Sequence, residues 1–133
     1  MALGTKGGNG LTSDIVSATD LQITVDKTSE GTLVRLRGHL GIDSSPALRD
    51  RLLAMMQKQS METVVVDLTD VSYLDASGIA TLVEGLKIAR SGHNSLRIQG
   101  LQGRVLHLFE VTGLLDIFEI NGSRSAPSVV KVP

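Results

Sequence analysis

Residues 67–90 read DLTDVSYLDASGIATLVEGLKIAR and join the end of a strand to a helix through one short turn. The strand is the apolar run Thr63–Leu68, and a short polar loop with two buried positions, Val71 and Leu74, follows it. The turn is 75–78, and the apolar residues of the helix after it recur three and four positions apart, which is typical of one buried stripe. We therefore expect this turn at the C-terminal end of a strand, where open α/β sheets usually bind ligands and partners.

Strands and helices alternate on both sides of this segment. Two segments of alternating apolar residues, 21–26 and 32–40, are joined by a short polar turn and predict an antiparallel hairpin. A helix follows, with Ser45 as its predicted N-cap and Pro46 as its first residue, and it ends near Gln59. The order β-β-α-β-α-β-α-β is completed by a strand over 95–99, a helix over 103–112 and an edge strand over 117–120.

This order predicts one α/β domain over residues 20–121. Residues 1–19 and 122–133 contain few large apolar groups and are predicted to be flexible tails. Strands separated by helices of this length pair in parallel through right-handed crossovers, and the hairpin adds one antiparallel strand. The predicted fold is a mixed, mainly parallel sheet with helices packed on it.

Two polar segments are expected at the same edge of this sheet. Residues 41–45 follow the second predicted strand, and residues 75–78 follow the third. If those strands are neighbours, both segments lie at C-terminal strand ends and share one surface. Its polar members are Asp43, Ser44, Ser45, Asp75 and Ser77.

The composition excludes several classes of partner. A chain of 133 residues with a formal net charge of -1 has no electrostatic basis for binding nucleic acid or an anionic membrane. No apolar run approaches the roughly 20 residues of a membrane span, and the N-terminal MALGTKGGNG lacks the apolar region of a signal peptide. We therefore expect a cytoplasmic protein that binds no nucleic acid and does not insert into membranes.

The chain lacks the residue spacing of known catalytic and metal-binding motifs. His39, His93 and His107 lie on three different predicted elements and the chain has no cysteine, so no metal site is expected. The early LGTKGG is not a P-loop, because no strand precedes it and the G-K-[ST] order is absent. Ser77 stands in D-A-S-G rather than in the G-x-S-x-G elbow of hydrolases. We expect neither enzyme activity nor a cofactor.

The turn 75–78 has two interpretations. In the structural one, Asp75 or Ser77 caps the helix and Gly78 allows a tight entry. In the functional one, a hydroxyl beside the positive end of the helix dipole accepts a phosphate, which adds about two negative charges without refolding the turn. The spacing alone favours capping.

Three segments of the chain resemble STAS domains of the anti-sigma factor antagonist type. They read VRLRGHLGIDSSPALRDRL, VVVDLTDVSYLDASGIATLVEGLKIAR and LQGRVLHLFEVTGLLDIFEI, and the resemblance extends over about residues 21–120. It implies a compact sheet-and-helix domain that binds an anti-sigma factor and releases the sigma factor. It also implies control by phosphorylation, with the anti-sigma factor acting as a serine protein kinase that uses ATP.

The chain departs from this family at the phosphorylation site. The family's acceptor serine directly follows the Asp in a D-S-[ST]-G turn, whereas Ala76 follows Asp75 here and cannot take a phosphate. Ser77 matches the second hydroxyl of the motif and is at best a substitute acceptor. The resemblance thus implies a domain that binds without this switch, or one that serves another system. The predicted partner-binding residues are Asp43, Ser44, Ser45, Leu74, Asp75, Ala76, Ser77 and Gly78.

Other roles remain open beside that of an anti-sigma factor antagonist. STAS domains also serve as small subunits of phospholipid-transport ABC systems, in which this chain would dock on the transporter ATPase, and as modules of sensory complexes. A small hydrolase that uses Ser77 is a third class.

Overall fold

The computed structural model describes residues 14–18, 20–57 and 63–120. The strands are β1 (Asp14–Ala18), β2 (Leu21–Thr28), β3 (Gly31–Leu40), β4 (Thr63–Leu74), β5 (Ser95–Gln99) and β6 (Glu119–Ile120). The helices are α1 (Ser45–Met56), α2 (Ala76–Ser91), α3 (Gly103–Val111) and a 3-10 turn (Leu114–Asp116).

Six strands form one sheet in the order β1-β2-β3-β4-β5-β6. The pairs β1–β2 and β2–β3 are antiparallel, and the three remaining pairs are parallel. A helix connects each parallel pair, because strands that run the same way need a crossover between them. The predicted α/β fold with a mixed, mainly parallel sheet is confirmed.

The hydrophobic core lies between one face of the sheet and the helices. On β3 and β4 alternate residues such as Val34, Leu36, Val64 and Val66 are buried, since successive side chains of a strand point to opposite faces. The helices pack against that face through buried residues spaced mostly four positions apart. These are Leu48, Leu52 and Met56 on α1, Leu82 and Leu86 on α2, and Val105 and Phe109 on α3.

β4 continues through the segment for which the sequence predicts a polar loop. It runs Thr63–Leu74 and pairs with β3 to its end. The register shifts after Arg35 and again after Gly38 of β3, and β4 has one extra residue at each of these β-bulges. The bulges break the strict alternation of burial, so that Val71 and Leu74 become the buried positions, as predicted.

The domain begins earlier than predicted. β1 lies inside the predicted tail of residues 1–19 and forms the edge of the sheet against β2. An edge strand is held by backbone hydrogen bonds to one neighbour and needs less apolar sequence than a core strand, so the tail prediction was wrong for Asp14–Ala18. The rest of the two predicted tails, residues 1–13, 19 and 122–133, lies outside the described residues.

Two predicted element ends also differ from the structure. α1 ends at Met56 rather than near Gln59. The predicted edge strand over 117–120 is reduced to β6, because the Phe118 N–H donates to the Leu114 carbonyl of the 3-10 turn and the Phe118 side chain is buried in the core. Gly113 follows the C-cap of α3 in the left-handed region (φ 75°), the conformation that glycine commonly adopts just after a helix.

Candidate partner-binding site

The turn between β4 and α2 begins with a carboxylate cap. Asp75 has an extended backbone (φ -118°, ψ -172°), and its Oδ1 accepts a hydrogen bond from the Gly78 N–H at 3.1 Å. This bond satisfies one of the N–H groups that a helix leaves unpaired at its start. The interpretation that Asp75 or Ser77 caps the helix is confirmed, with Asp75 as the cap and Ala76 as the first helical residue.

Gly78 is a point of very close approach between α2 and the end of β3. A Cβ atom placed on it would lie 2.6 Å from the Leu40 carbonyl oxygen and 2.6 Å from Cδ1 of Leu74. The carbonyl belongs to a strand backbone, which cannot rotate away as the end of a flexible side chain can. A side chain at this position would therefore push the start of α2 off the sheet.

Two buried serines fix the loop between β3 and α1. The Ser44 hydroxyl accepts from the Gly41 N–H at 3.1 Å and donates to the His39 carbonyl at 2.8 Å. The Ser45 hydroxyl donates to the Gly41 carbonyl at 2.7 Å. Ser45 was predicted as the N-cap, which is wrong: Ser44 holds the cap position and Ser45 is the first helical residue. Its hydroxyl donates back into the loop and adds to the hydrogen bonds that the Gly41 carbonyl accepts from two backbone N–H groups.

The loop and the turn meet because β3 and β4 are parallel neighbours. Leu40 pairs with Leu74, and the Asp75 N–H donates to the Leu40 carbonyl at 3.3 Å. A cleft of about 200 Å³, named the β3–β4 cleft below, lies between the two segments. The two strands are therefore neighbours, which is the condition for the predicted shared surface. The cleft is lined by Asp20, His39, Gly41, Ile42, Asp43, Ser44, Tyr73 and Asp75.

The predicted site residues differ in exposure. Asp43 and Ala76 are exposed, whereas Asp75 and Ser77 are half-buried. Ser77 and Ser45 do not line the cleft, although the sequence analysis grouped both with Asp43 and Asp75. The side chains of the other predicted residues support the site from inside. These buried residues are Ser44, Ser45, Leu74 and Gly78.

Five residues of the cleft are not among the predicted partner-binding residues: Asp20, His39, Gly41, Ile42 and Tyr73. Ile42 is 73% exposed and Tyr73 is 49% exposed, although both side chains are large. An apolar residue inside the polar loop 41–45 is a signal that could have identified Ile42. Tyr73 gives no such signal, because the bulges of β4 decide which way its side chain points.

Weak contacts join the side chains along one wall of the cleft. The rings of His39 and Tyr73 lie 5.4 Å apart at 50° to each other. Nδ1 of His39 is 3.9 Å from Oδ2 of Asp20, and the Tyr73 hydroxyl is 3.5 Å from Oδ2 of Asp75. Such long, solvent-exposed contacts contribute little to stability. They leave the polar groups of the wall available to a partner.

Ala76 and Ser77 start α2 at the positive end of its dipole. The Ser77 hydroxyl forms no hydrogen bond within the described part of the chain. A phosphate on it would be attracted by the dipole and by N–H groups of the first turn, and repelled by the neighbouring Asp75 carboxylate. The position can carry an added charge at the surface, but Ala76 cannot be the residue that carries it.

Asp67 fixes the first bulge of β4. Its carboxylate accepts hydrogen bonds from the Thr69 N–H at 2.9 Å, from the Thr69 hydroxyl at 2.5 Å and from Nε2 of Gln99 at 3.0 Å. Partial burial opposes ionisation, but these hydrogen bonds and the charge of Arg35 outweigh it and lower the pKa of Asp67. The bulged segment that leads to the cleft is therefore held by an ionised group.

Metal-binding and membrane-spanning features were sought in residues 14–18, 20–57 and 63–120. No group of three or more His, Cys, Asp or Glu side chains in these ranges could hold a metal ion. The three histidines lie on β3, just after α2 and on α3. Within the same ranges, no helix has the length and apolar character needed to cross a membrane.

Sequence comparison relates this chain to one family of domains. The sequence model of the family described as "Mlab, STAS domain" matches residues 23–119. An anti-sigma-B factor antagonist of Staphylococcus aureus is 34% identical over 98 residues, which cover 74% of this chain and 87% of that protein. The anti-sigma-B factor antagonist of Bacillus subtilis is 28% identical over 102 residues, which cover 77% of this chain and 92% of that protein.

Comparison with solved structures finds the same fold. The crystal structure of an anti-sigma factor antagonist from Mycobacterium paratuberculosis matches with a TM-score of 0.62 and 20% sequence identity, over 82% of this chain and 92% of that one. At this identity the likeness supports the fold alone. Because the family match extends over most of the described residues, this chain belongs to the STAS domain family.

Proposed function

We propose that this protein is an anti-sigma factor antagonist, a non-enzymatic cytoplasmic protein that binds an anti-sigma factor and thereby releases a sigma factor. The observation that carries the proposal is the 34% identity to an anti-sigma-B factor antagonist over 87% of that protein's length. The β3–β4 cleft and the exposed start of α2 are a suitable face for such a partner. Release then follows by competition, because every anti-sigma factor bound to this chain is removed from the sigma factor.

The proposed partner-binding face combines the loop 41–45, the turn 74–78 and the first turn of α2. Its backbone is already fixed in the free protein by the hydroxyls of Ser44 and Ser45 and by the Asp75 cap. A face that is ordered before binding loses little conformational entropy when the complex forms. This favours tight association without any chemical step.

The partner in this proposal is an anti-sigma factor of the serine protein kinase type. The chain has Ala76 where the resemblance to anti-sigma factor antagonists places the acceptor serine. Ala76 carries no hydroxyl, so this chain binds its partner without being switched off by it. Ser77 carries the only hydroxyl of the turn 75–78 and would be a substitute acceptor.

The test of this function uses the purified anti-sigma factor, its sigma factor and ATP. Wild-type chain is expected to release the sigma factor and to incorporate no phosphate. Ala76→Ser is expected to become a kinase substrate. Ser77→Asp should bind more weakly, because a charge in a close-packed interface is desolvated without a matched cation, whereas Ser77→Ala should bind almost as wild type does.

Three results would each contradict part of the proposal. Strong labelling of Ser77 in the wild type would show that the domain is switched after all. Failure of the wild type to bind any anti-sigma factor of its own genome would exclude the function itself. Unchanged affinity in Ser77→Asp would remove this turn from the interface.

An accessory subunit of a phospholipid-transport ABC system is the second candidate. The observation that favours it is the name Mlab in the description of the matching family. In this role the same face would dock on the transporter ATPase. Parallel titrations of the chain with the ATPase and with the anti-sigma factor separate the two functions, since binding to the ATPase alone decides for transport.

A further inference from the structure

We propose that Ile42 and Tyr73 are the apolar anchors of the partner-binding face, and that they insert into an apolar pocket of the anti-sigma factor bordered by arginine or lysine side chains. This inference rests on the proposed function. The two residues that supply the binding energy then lie outside the D-A-S-G turn, and the partner's surface that receives them is apolar with a basic border.

Two exposed apolar side chains meet at the β3–β4 cleft. Among the described residues, the large apolar side chains that are exposed are Ile42, Tyr73, Val111 and Ile117. Val111 and Ile117 lie at the end of α3 and beyond the 3-10 turn, whereas Ile42 and Tyr73 line the same cleft. Single exposed apolar residues are ordinary, so the informative observation is that two of them meet at one concave site.

Backbone hydrogen bonds make the loop that presents Ile42 rigid. The N–H groups of Ser44 and Ser45 both donate to the Gly41 carbonyl, at 3.1 Å and 2.8 Å, in addition to the bonds of the serine hydroxyls. The loop therefore cannot fold inward to shield Ile42 from water. An anchor held in this way loses little freedom on binding, so the burial of its side chain favours the complex almost fully.

Carboxylates surround the two anchors. Asp20, Asp43 and Asp75 line the cleft, and the described residues of its lining include neither lysine nor arginine. A partner without cations would desolvate these carboxylates with no compensation. Arginine suits the position best, because its planar guanidinium pairs with carboxylates and also stacks on a tyrosine ring.

The experiment titrates the purified anti-sigma factor into the wild type and single variants by calorimetry, at low and at moderate salt. Ile42→Ala and Tyr73→Ala are expected to weaken binding at least about tenfold, as truncated anchors do. Val111→Ala is the matched control, since Val111 is 64% exposed and does not line the cleft, and its effect should stay below about twofold. Asp43→Asn should weaken binding several-fold and reduce its salt dependence.

The outcomes separate this inference from the proposed function. If the wild type binds and both Ile42→Ala and Tyr73→Ala bind equally well, the two residues are not anchors, but the proposed function stands. No wild-type binding overturns both. If the affinity depends neither on the salt concentration nor on the Asp43 carboxylate, the partner's pocket is not bordered by arginine or lysine. If sedimentation shows that the wild type is a homodimer and that Ile42→Ala is a monomer, the anchors bind a second copy of this chain. That result would also overturn the proposal.

Discussion

The β3–α1 loop and the β4–α2 turn follow neighbouring parallel strands, but different forces hold them. Side-chain hydroxyls of Ser44 and Ser45 fix the loop by bonding to its backbone. The turn depends on space, because Gly78 lies against the Leu40 carbonyl, and on one cap bond from Asp75. Hydrogen-bonding chemistry therefore restricts the sequence of the loop, while side-chain size restricts the sequence of the turn.

The largest expected effect on stability tests whether side-chain size restricts the sequence of the turn. Gly78→Ala should lower the free energy of unfolding by about 2–3 kcal/mol, because the new Cβ meets a backbone carbonyl that cannot move aside. Urea unfolding measures this loss. Gly85→Ala is the control within the same helix, since its Cβ would meet Cδ1 of Leu52, the end of a flexible side chain, at 3.0 Å. The better helix propensity of Ala, about 1 kcal/mol, should offset that contact.

If both glycine variants are equally stable, close approach does not hold the turn. The contrast between the loop and the turn would then rest on the Asp75 cap alone.

The next largest effect on stability tests whether hydrogen bonding restricts the sequence of the loop. Ser44→Ala should cost about 2 kcal/mol, because it leaves the Gly41 N–H and the His39 carbonyl without the hydroxyl. Ser45→Ala should cost only about 1 kcal/mol, since the Gly41 carbonyl still accepts from two N–H groups. Thermal and urea unfolding give both values. Equal losses would show that the two hydroxyls do not have the separate roles assigned to them.

A smaller effect is expected at the cap of α2. Asp75→Ala should cost about 1 kcal/mol, because the Gly78 N–H loses its acceptor. Asp75→Asn keeps an oxygen at the same position and should be close to wild type in urea unfolding. An equal loss in both variants would assign the stabilisation to the charge of Asp75 rather than to the cap bond.

The smallest effect concerns Asp67 and appears as a dependence on pH. Its pKa is lowered in the folded state, so its ionised form stabilises the fold above its unfolded pKa, and this contribution is lost as the pH falls through the folded pKa. The carboxylate is only half-buried, and solvent screening keeps the contribution small. We expect Asp67→Asn to be slightly less stable than wild type near neutral pH, with a difference that shrinks in acid. Urea unfolding across pH measures it, and a difference independent of pH would contradict the assignment.

The periodic elements of this fold could be predicted from the sequence. Alternating residues in β2 and β3 and the apolar stripe of α2 follow directly from which side of each element is buried. The order of strands and helices also placed the segments 41–45 and 75–78 at one edge. β1 was not predicted because its five residues include few large apolar groups, and the end of β4 was not predicted because its bulges break the regular alternation.

The site was predicted less completely than the fold. The position of Asp75 before a helix indicated a cap, since capping needs only a local side chain. The roles of Ser44 and Ser45 depend on the path of the loop, which decides whether a hydroxyl meets an N–H or a carbonyl. The exposure of Ile42 and Tyr73 depends on which side chains the neighbouring strand brings nearby, and sequence spacing does not contain that information.

The two bulges of β4 impose a rule on how this segment can vary in length. Arg35 pairs with Asp67 and Leu40 pairs with Leu74, so β4 uses two more residues than β3 to cover the same distance. Loss of one bulged residue would remove one bulge and leave Leu74 opposite Leu40, because the remaining residues of β4 still match β3. Loss of both bulged residues would leave a regular strand in the same register. Loss of a third residue would have no bulge to absorb it and would move Leu74 to the opposite face of the sheet, so we expect relatives to lack at most two residues in this segment.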